Sequence, residues 1–242
     1  MDLEKLARSL GCKPNLADWI DMSTFPNSPR LLKGGIVLLD PETAAVRRII
    51  SLQYNPDTLT RSLQIQGVSA EGGSGDRSEI LRLKGPPVET IKLDAEIDAT
   101  DQLEFPDQNA NAVEVGIHPQ LAALEAIVYP SSNQLQSNNA LAKSGTLEII
   151  PMQSALTLFI WSKNRIIPVR LTDFSITEEA FDPNLNPIRA KVSLGMRVLS
   201  VNDVGFDAKA GSLYMTYQQQ KERLAGLAPA GSFANLGIKG IT

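Results

Sequence analysis

The segment Val88–Asp98 sets Ile91, Leu93, Ala95 and Ile97 against Thr90, Lys92, Asp94, Glu96 and Asp98, a strict period of two. Successive side chains of a strand point to opposite faces, so this pattern fixes a long β-strand with one dry and one wet face. Ile188, Ala190, Val192, Leu194, Met196 and Val198 repeat it near the other end of the chain. One-sided stripes belong to antiparallel sheets, since parallel strands are covered on both faces.

Shorter runs fill in the frame. Ile36–Leu39 is an apolar run closed by Asp40–Pro41, and residues 46–53 form a second run ended by Asn55–Pro56. Thr60–Gln66 alternates, with Leu63 and Ile65 on one face, before a Gly/Ser-rich loop at Glu71–Gly75. Further alternation runs through Leu156, Leu158 and Ile160 and through Ile167, Val169 and Leu171, and Phe181-Asp182-Pro183 reads as a turn.

One helix interrupts the strands. Pro119 suits a first turn, Leu121, Leu124, Ile127 and Val128 recur at helical spacing, and Pro130 stops the run. Residues 131–146 read as an exposed polar loop, and a further helix is expected over 212–225. Residues 1–32 read as a polar N-terminal arm with a short Leu3/Leu6/Leu10 stripe, 33–200 as the folded domain, and 201–242 as a C-terminal extension.

Composition restricts function more by exclusion than by suggestion. With 23 basic and 27 acidic residues, a net charge of −4 and scattered Lys and Arg, the chain lacks the basic cluster that nucleic acid demands. Cys12 is the single cysteine, which rules out an intrachain disulfide and a thiolate metal cage and fits folding in a reducing compartment. Met1–Leu10 is charged and lacks a signal-peptide core, and no apolar run nears the ~20 residues of a membrane helix. These features predict synthesis in the cytoplasm and no direct membrane insertion.

Catalytic candidates are few. His118, the sole histidine, stands at a helix start, where a cap or surface role outweighs general base or metal ligand. No G-x-S-x-G elbow is present, and Gly72-Gly73-Ser74-Gly75 lacks the Lys-Ser/Thr of a phosphate loop. Asp94 and Glu96 share a strand face about 7 Å apart and could form a hydrolase carboxylate pair, but Lys92 beside them suits an ordinary wet face. Trp19 and Trp161 read as core or interface anchors rather than ligand-stacking groups. A small-ligand barrel remains open as an alternative, although only 5% of residues are aromatic. No catalytic residue, metal or cofactor is expected.

Several segments, in order, resemble the contractile injection system tube-protein family. Leu52-Gln53-Tyr54-Asn55-Pro56 looks like the family's strand ending in an aromatic-Asn-Pro turn, with Arg61-Ser62 following. Gly85-Pro86-Pro87 leads into the Ile91–Ile97 strand and Asp98-Ala99-Thr100, and the helix 119–128 ends at Tyr129-Pro130. Pro151, Leu158-Phe159-Ile160-Trp161, Phe181-Asp182-Pro183 and Pro187-Ile188-Arg189-Ala190 complete the series. Two positions depart from the pattern: Ser162 follows Trp161 in place of Gly, and Leu185 or Asn186 stands where a turn Gly is expected, with Asn184 or Asn186 able to substitute. Nothing after Ser200 resembles the LysM module that many relatives carry.

The resemblance implies an α+β fold: a tail-tube-like antiparallel β-barrel of two packed sheets with one flanking helix. It assigns structural motif roles to Tyr54, Asn55, Pro56, Trp161, Phe181, Asp182, Pro183, Pro187 and Arg189. It implies a homo-oligomeric six-membered ring stacking through loops 68–79 and 131–146. The expected partners are a spike/hub protein, inner-tube subunits and baseplate wedge proteins. The extensions at both ends point to a tube initiator or adaptor at the baseplate, with a bulk inner-tube subunit as the alternative.

Overall fold

A computed structural model describes residues 31–67, 82–143 and 154–241 of the chain. Residues 1–30 of the N-terminal arm, with Cys12 and Trp19, the Gly/Ser-rich loop and Pro151 lie outside them.

Seven strands form one sheet: β1 (Gly35–Leu39), β2 (Val46–Ser51), β3 (Leu59–Gln64), β4 (Val88–Asp98), β5 (Leu156–Ser162), β6 (Arg165–Phe181) and β7 (Pro187–Val198). Their order is β2-β1-β5-β6-β7-β4-β3, and every ladder is antiparallel. The helices are α1 (Thr100–Leu103), α2 (Ala110–Val115), α3 (His118–Glu125), α4 (Ser132–Lys143) and α5 (Lys209–Ala225).

The dry face follows the register. Ile91, Leu93, Ala95 and Ile97 stand opposite Met196, Leu194, Val192 and Ala190, and all eight are buried. The face continues through Val169 and Ile167 of β6, Phe159 of β5 and Ile36 and Leu38 of β1. Ile117, Leu121 and Leu124 join this core from the α3 side, and Tyr214 and Tyr217 join it from α5.

The expected barrel of two packed sheets is not what forms. β2 and β3 share no ladder, so the molecule is a single open sheet. It is nevertheless curled. Laid flat, seven strands would span about 29 Å edge to edge, and the eight steps from Ser51 to Leu59 could cover that only if nearly straight. That link instead bends at Gln53 and Tyr54. Alternation reports one dry face, and an open curled sheet satisfies it as well as a closed barrel does.

Two further expectations change. The single flanking helix is joined by others, and residues 131–146 are mostly the helix α4 rather than a loop. Ser131 and Gln134 form a capping box: Ser131 Oγ accepts from Gln134 N at 3.3 Å, and Gln134 Oε1 accepts from Ser131 N at 3.3 Å. α4 has no buried residue, so no apolar stripe announced it. The helix expected over 212–225 is α5, 17 residues long.

Candidate functional site

The sequence motifs converge on three joints of the sheet. The first bridges its two halves. Leu52 N–H donates to Gly34 O at 2.9 Å, continuing the β1–β2 pairing by one bond. Gln53 then turns its amide to β4, donating to Asp98 O at 2.6 Å and accepting from Asp98 N–H at 3.0 Å. Asn55 turns the other way, accepting from Gly34 N–H at 2.8 Å and donating to Leu32 O at 2.8 Å. Two side-chain amides thus do what a ladder would do across the open side of the sheet. Tyr54 between them is exposed, and Pro56, which has no N–H to satisfy, is half-buried.

The second joint is the β6–β7 tip. Asp182 Oδ1 accepts from Asn184 N–H and Asn186 N–H, each at 2.8 Å, and Oδ2 accepts from Asn186 Nδ2 at 2.8 Å. Asn186 Nδ2 also reaches Glu114 O at 3.1 Å, tying the tip to α2. The left-handed residue is Leu185 at φ 66°, not Asn184 or Asn186. The side chain of Asn186 is what the turn uses. Pro187 is fully buried and its carbonyl accepts from Ile117 N–H at 2.9 Å. Gly116, at φ 58°, makes that contact possible, because a Cβ there would sit 2.3 Å from Pro187 O. Two residues on, Arg189 pairs with Asp98 at 2.8 Å, next to the Gln53 bonds. Phe181 is exposed at the end of β6, and Pro183 is exposed in the turn.

Trp161 packs in the opposite half. Its ring stacks on Phe159 at 5.9 Å between centroids. A Cβ on Gly34 would meet the same ring at 2.6 Å, so the indole lies directly on the start of β1.

The third joint was not anticipated. Glu89 is 3% exposed and lies in phase with the Ile91–Ile97 stripe, on the dry face. Its carboxylate accepts from Arg61 Nε at 2.8 Å and from the Tyr217 hydroxyl at 3.1 Å, with Lys221 Nζ at 3.9 Å. Lys221 also lies 4.4 Å from the centroid of the Tyr217 ring. Burial, then the charge of Glu89, push the Tyr217 phenol up to about 12, and burial lowers the Lys221 ammonium from its ordinary value. One carboxylate therefore joins β3, β4 and α5. A charged residue in the apolar phase of a strand was the signal available in the sequence.

The catalytic candidates stand apart from these joints. His118 is exposed on α3. Asp94 and Glu96 are exposed; Asp94 accepts from Ser193 Oγ at 2.5 Å, and Glu96 faces Lys191 across the ladder. Among the described residues no group of three or more His, Cys, Asp or Glu is placed to hold a metal. No described helix is long and apolar enough to cross a membrane.

A family model described as contractile injection system tube protein matches residues 36–200. No curated protein matches the chain. Among solved structures, the tail of an empty gene transfer agent particle, determined with helical refinement and C6 symmetry, overlaps 69% of this chain and 90% of its own at 11% identity and TM-score 0.27. The virion of a native gene transfer agent particle overlaps 68% and 90% at 11% identity and TM-score 0.25.

Proposed function

The chain belongs to the contractile injection system tube protein family, and on that premise we propose that it forms the ring joining the spike or hub to the inner tube at the baseplate. The observation that carries this reading lies beyond the matched residues. α5 follows them, is locked to the sheet through Tyr217 and Glu89, and leads into a segment whose Leu227, Phe233, Leu236 and Ile241 are all exposed. A subunit that only repeats along a tube has no need of an additional apolar segment, whereas an adaptor meets a second kind of surface.

In this reading residues 33–200 are the tube unit, and 1–32 and 201–242 are its extensions. The ring has six members and touches the hub below, tube subunits above and wedge proteins around it. It works by shape, with no catalytic step and no cofactor, and it is made in the cytoplasm and built into the injection particle. The motif residues from Tyr54 to Arg189 serve to hold the sheet's curvature, which sets how neighbours meet. Deleting the gene predicts baseplates that carry no tube. Tubes of normal length on the deletion strain's baseplates would overturn the proposal.

A further inference from the structure

Tyr217, Gln220 and Lys221 are spaced i, i+3 and i+4 along α5 and so share one face of the helix. That face meets three parts of the sheet. The Tyr217 hydroxyl donates to Glu89 of β4 and accepts from Arg61 Nη2 of β3 at 3.0 Å. Gln220 Nε2 donates to Asn164 Oδ1, in the turn between β5 and β6, at 2.9 Å. Gln220 Oε1 in turn accepts from Arg223 Nε at 3.2 Å. Lys163 and Arg165 flank Asn164, and the charge of Arg165 reaches the Tyr217 phenol.

The charges at this corner do not balance. Arg61, Arg165, Lys221 and Arg223 are drawn around a single buried carboxylate, that of Glu89, which engages Arg61 at 2.6 Å and Lys221 at 3.9 Å. Glu222 also acts on Lys221, but its carboxylate accepts from Gln218 Nε2 at 3.4 Å. Among the described residues Arg165 and Arg223 have no ion pair, and Arg223 donates only to the neutral Gln220. The cations are still within reach of solvent: the side chains of Arg61 and Lys221 are 27% and 31% exposed, Arg165 is half-buried and Arg223 is exposed. Burial lowers the Lys221 ammonium and Arg61 adds to the lowering, while Glu89 opposes it. A surplus of positive charge in a partly desolvated corner is relieved by one more anion.

Two features select that anion. Arg165 and Arg223 end in planar forks that pair with a carboxylate through two parallel bonds. The surplus is also local: the whole chain carries a net charge of −4, which repels a polyphosphate bearing a charge at every step. A short run of Asp or Glu side chains needs only the local surplus. We propose that this corner of α5 is a docking site for an acidic segment of a partner protein, whose carboxylates seat between Lys221, Arg165 and Arg223. The site is a property of the folded chain alone, so it stands or falls apart from the baseplate placement.

The experiment titrates the full chain into fluorescein-labelled hexaglutamate at low salt and follows anisotropy. Binding is expected, and it should weaken by about tenfold in an Arg165→Gln/Arg223→Gln variant. A Lys92→Gln/Lys191→Gln variant, which removes the same charge from the wet face of the sheet, should bind as the parent does. Both variants alter side chains at the surface and should leave circular dichroism unchanged. Carbodiimide coupling of the bound peptide should label Lys221 or Lys163. No binding of the peptide, equal weakening in the two variants, or coupling confined to other lysines would each overturn the proposal. Tighter binding of an oligothymidylate of equal charge would overturn it as well, in favour of nucleic acid.

Discussion

The side-chain amide of Gln53 pairs with the backbone of Asp98 through both of its groups, donating to the carbonyl at 2.6 Å and accepting from the N–H at 3.0 Å. This is strand pairing performed by a side chain. It holds the β2–β3 link against the end of β4, while Asn55 holds the same link against the start of β1. Gln53→Ala leaves a half-buried N–H and C=O without partners and should cost about 1–3 kcal/mol in urea unfolding. Asn55→Ala should cost about 1 kcal/mol, since its site is more exposed. Because both residues fix one link, the double variant should fall short of the sum. Full additivity would mean that the two amides act separately.

Glu89 should behave as a keystone between the sheet and α5. Removing its charge leaves Arg61 and Lys221 without their shared carboxylate, and loss of one member of a buried pair is strongly destabilising. Arg61 retains some solvent contact, so Glu89→Gln is expected to cost about 2 kcal/mol rather than the larger values of fully enclosed pairs. Tyr217→Phe removes both the bond its hydroxyl donates to Glu89 and the one it accepts from Arg61 Nη2 at 3.0 Å, and should cost about 1–2 kcal/mol. Hydrogen exchange should show α5 opening first in both variants; uniform loss of protection over the whole sheet would contradict the keystone role.

The titration of these groups predicts both limbs of a stability–pH profile. The folded phenol of Tyr217 is raised from 10.0 to about 12, so folding favours the protonated form. Its contribution is complete below pH 10 and is lost as pH rises towards 12. The lowered Lys221 acts with the opposite sign below its ordinary 10.5, so Tyr217→Phe is the comparison that isolates the phenol: the variant should lose less stability than the parent above pH 10. At acid pH the sign reverses. Burial pushes the Asp98 carboxyl up, but bonds from Thr100 and Arg189 outweigh it and hold the group below its ordinary 3.8. That contribution is present above the ordinary value and fades as pH falls below it, so Asp98→Asn should flatten the acid limb. Equal slopes in parent and variant would exclude this assignment.

Two turn positions make opposite predictions. Leu185 holds φ 66° and is 78% exposed, so Leu185→Gly relieves backbone strain at little loss of burial. A gain of about 0.5–1 kcal/mol is expected after the entropy of glycine is set against it. Gly116→Ala imposes both a left-handed alanine and a clash with Pro187 O, and should destabilise by more than about 2 kcal/mol. Thermal melts of the two variants should shift in opposite directions.

Much of this fold could be read from the chain because its principal strands keep phase. β4 and β7 pair over nine positions without a break, and their stripes were visible as strict alternation. β6 was only partly legible because a bulge between Leu171 and Asp173 shifts the phase, moving the dry face from Val169 and Leu171 to Phe174 and Ile176. α4 escaped because it packs nothing, although Ser131 and Gln134 spelled its capping box. Closure was beyond the sequence: no pattern tells an edge joined by a ladder from one joined by the side chains of Gln53 and Asn55. Glu89 carries two opposed signals, a charge that suits the wet face and a position in the stripe that belongs to the dry one, and the position prevails because Arg61 and Tyr217 meet its carboxylate there.

The central claim is the place of this subunit in the particle, and a cryo-EM reconstruction of the intact injection particle tests it most directly. The account predicts density for this chain in one ring between the hub and the first inner-tube ring, with α5 and the apolar segment that follows it resolved. The same chain repeating along the length of the tube, or absent from the baseplate end, would contradict it.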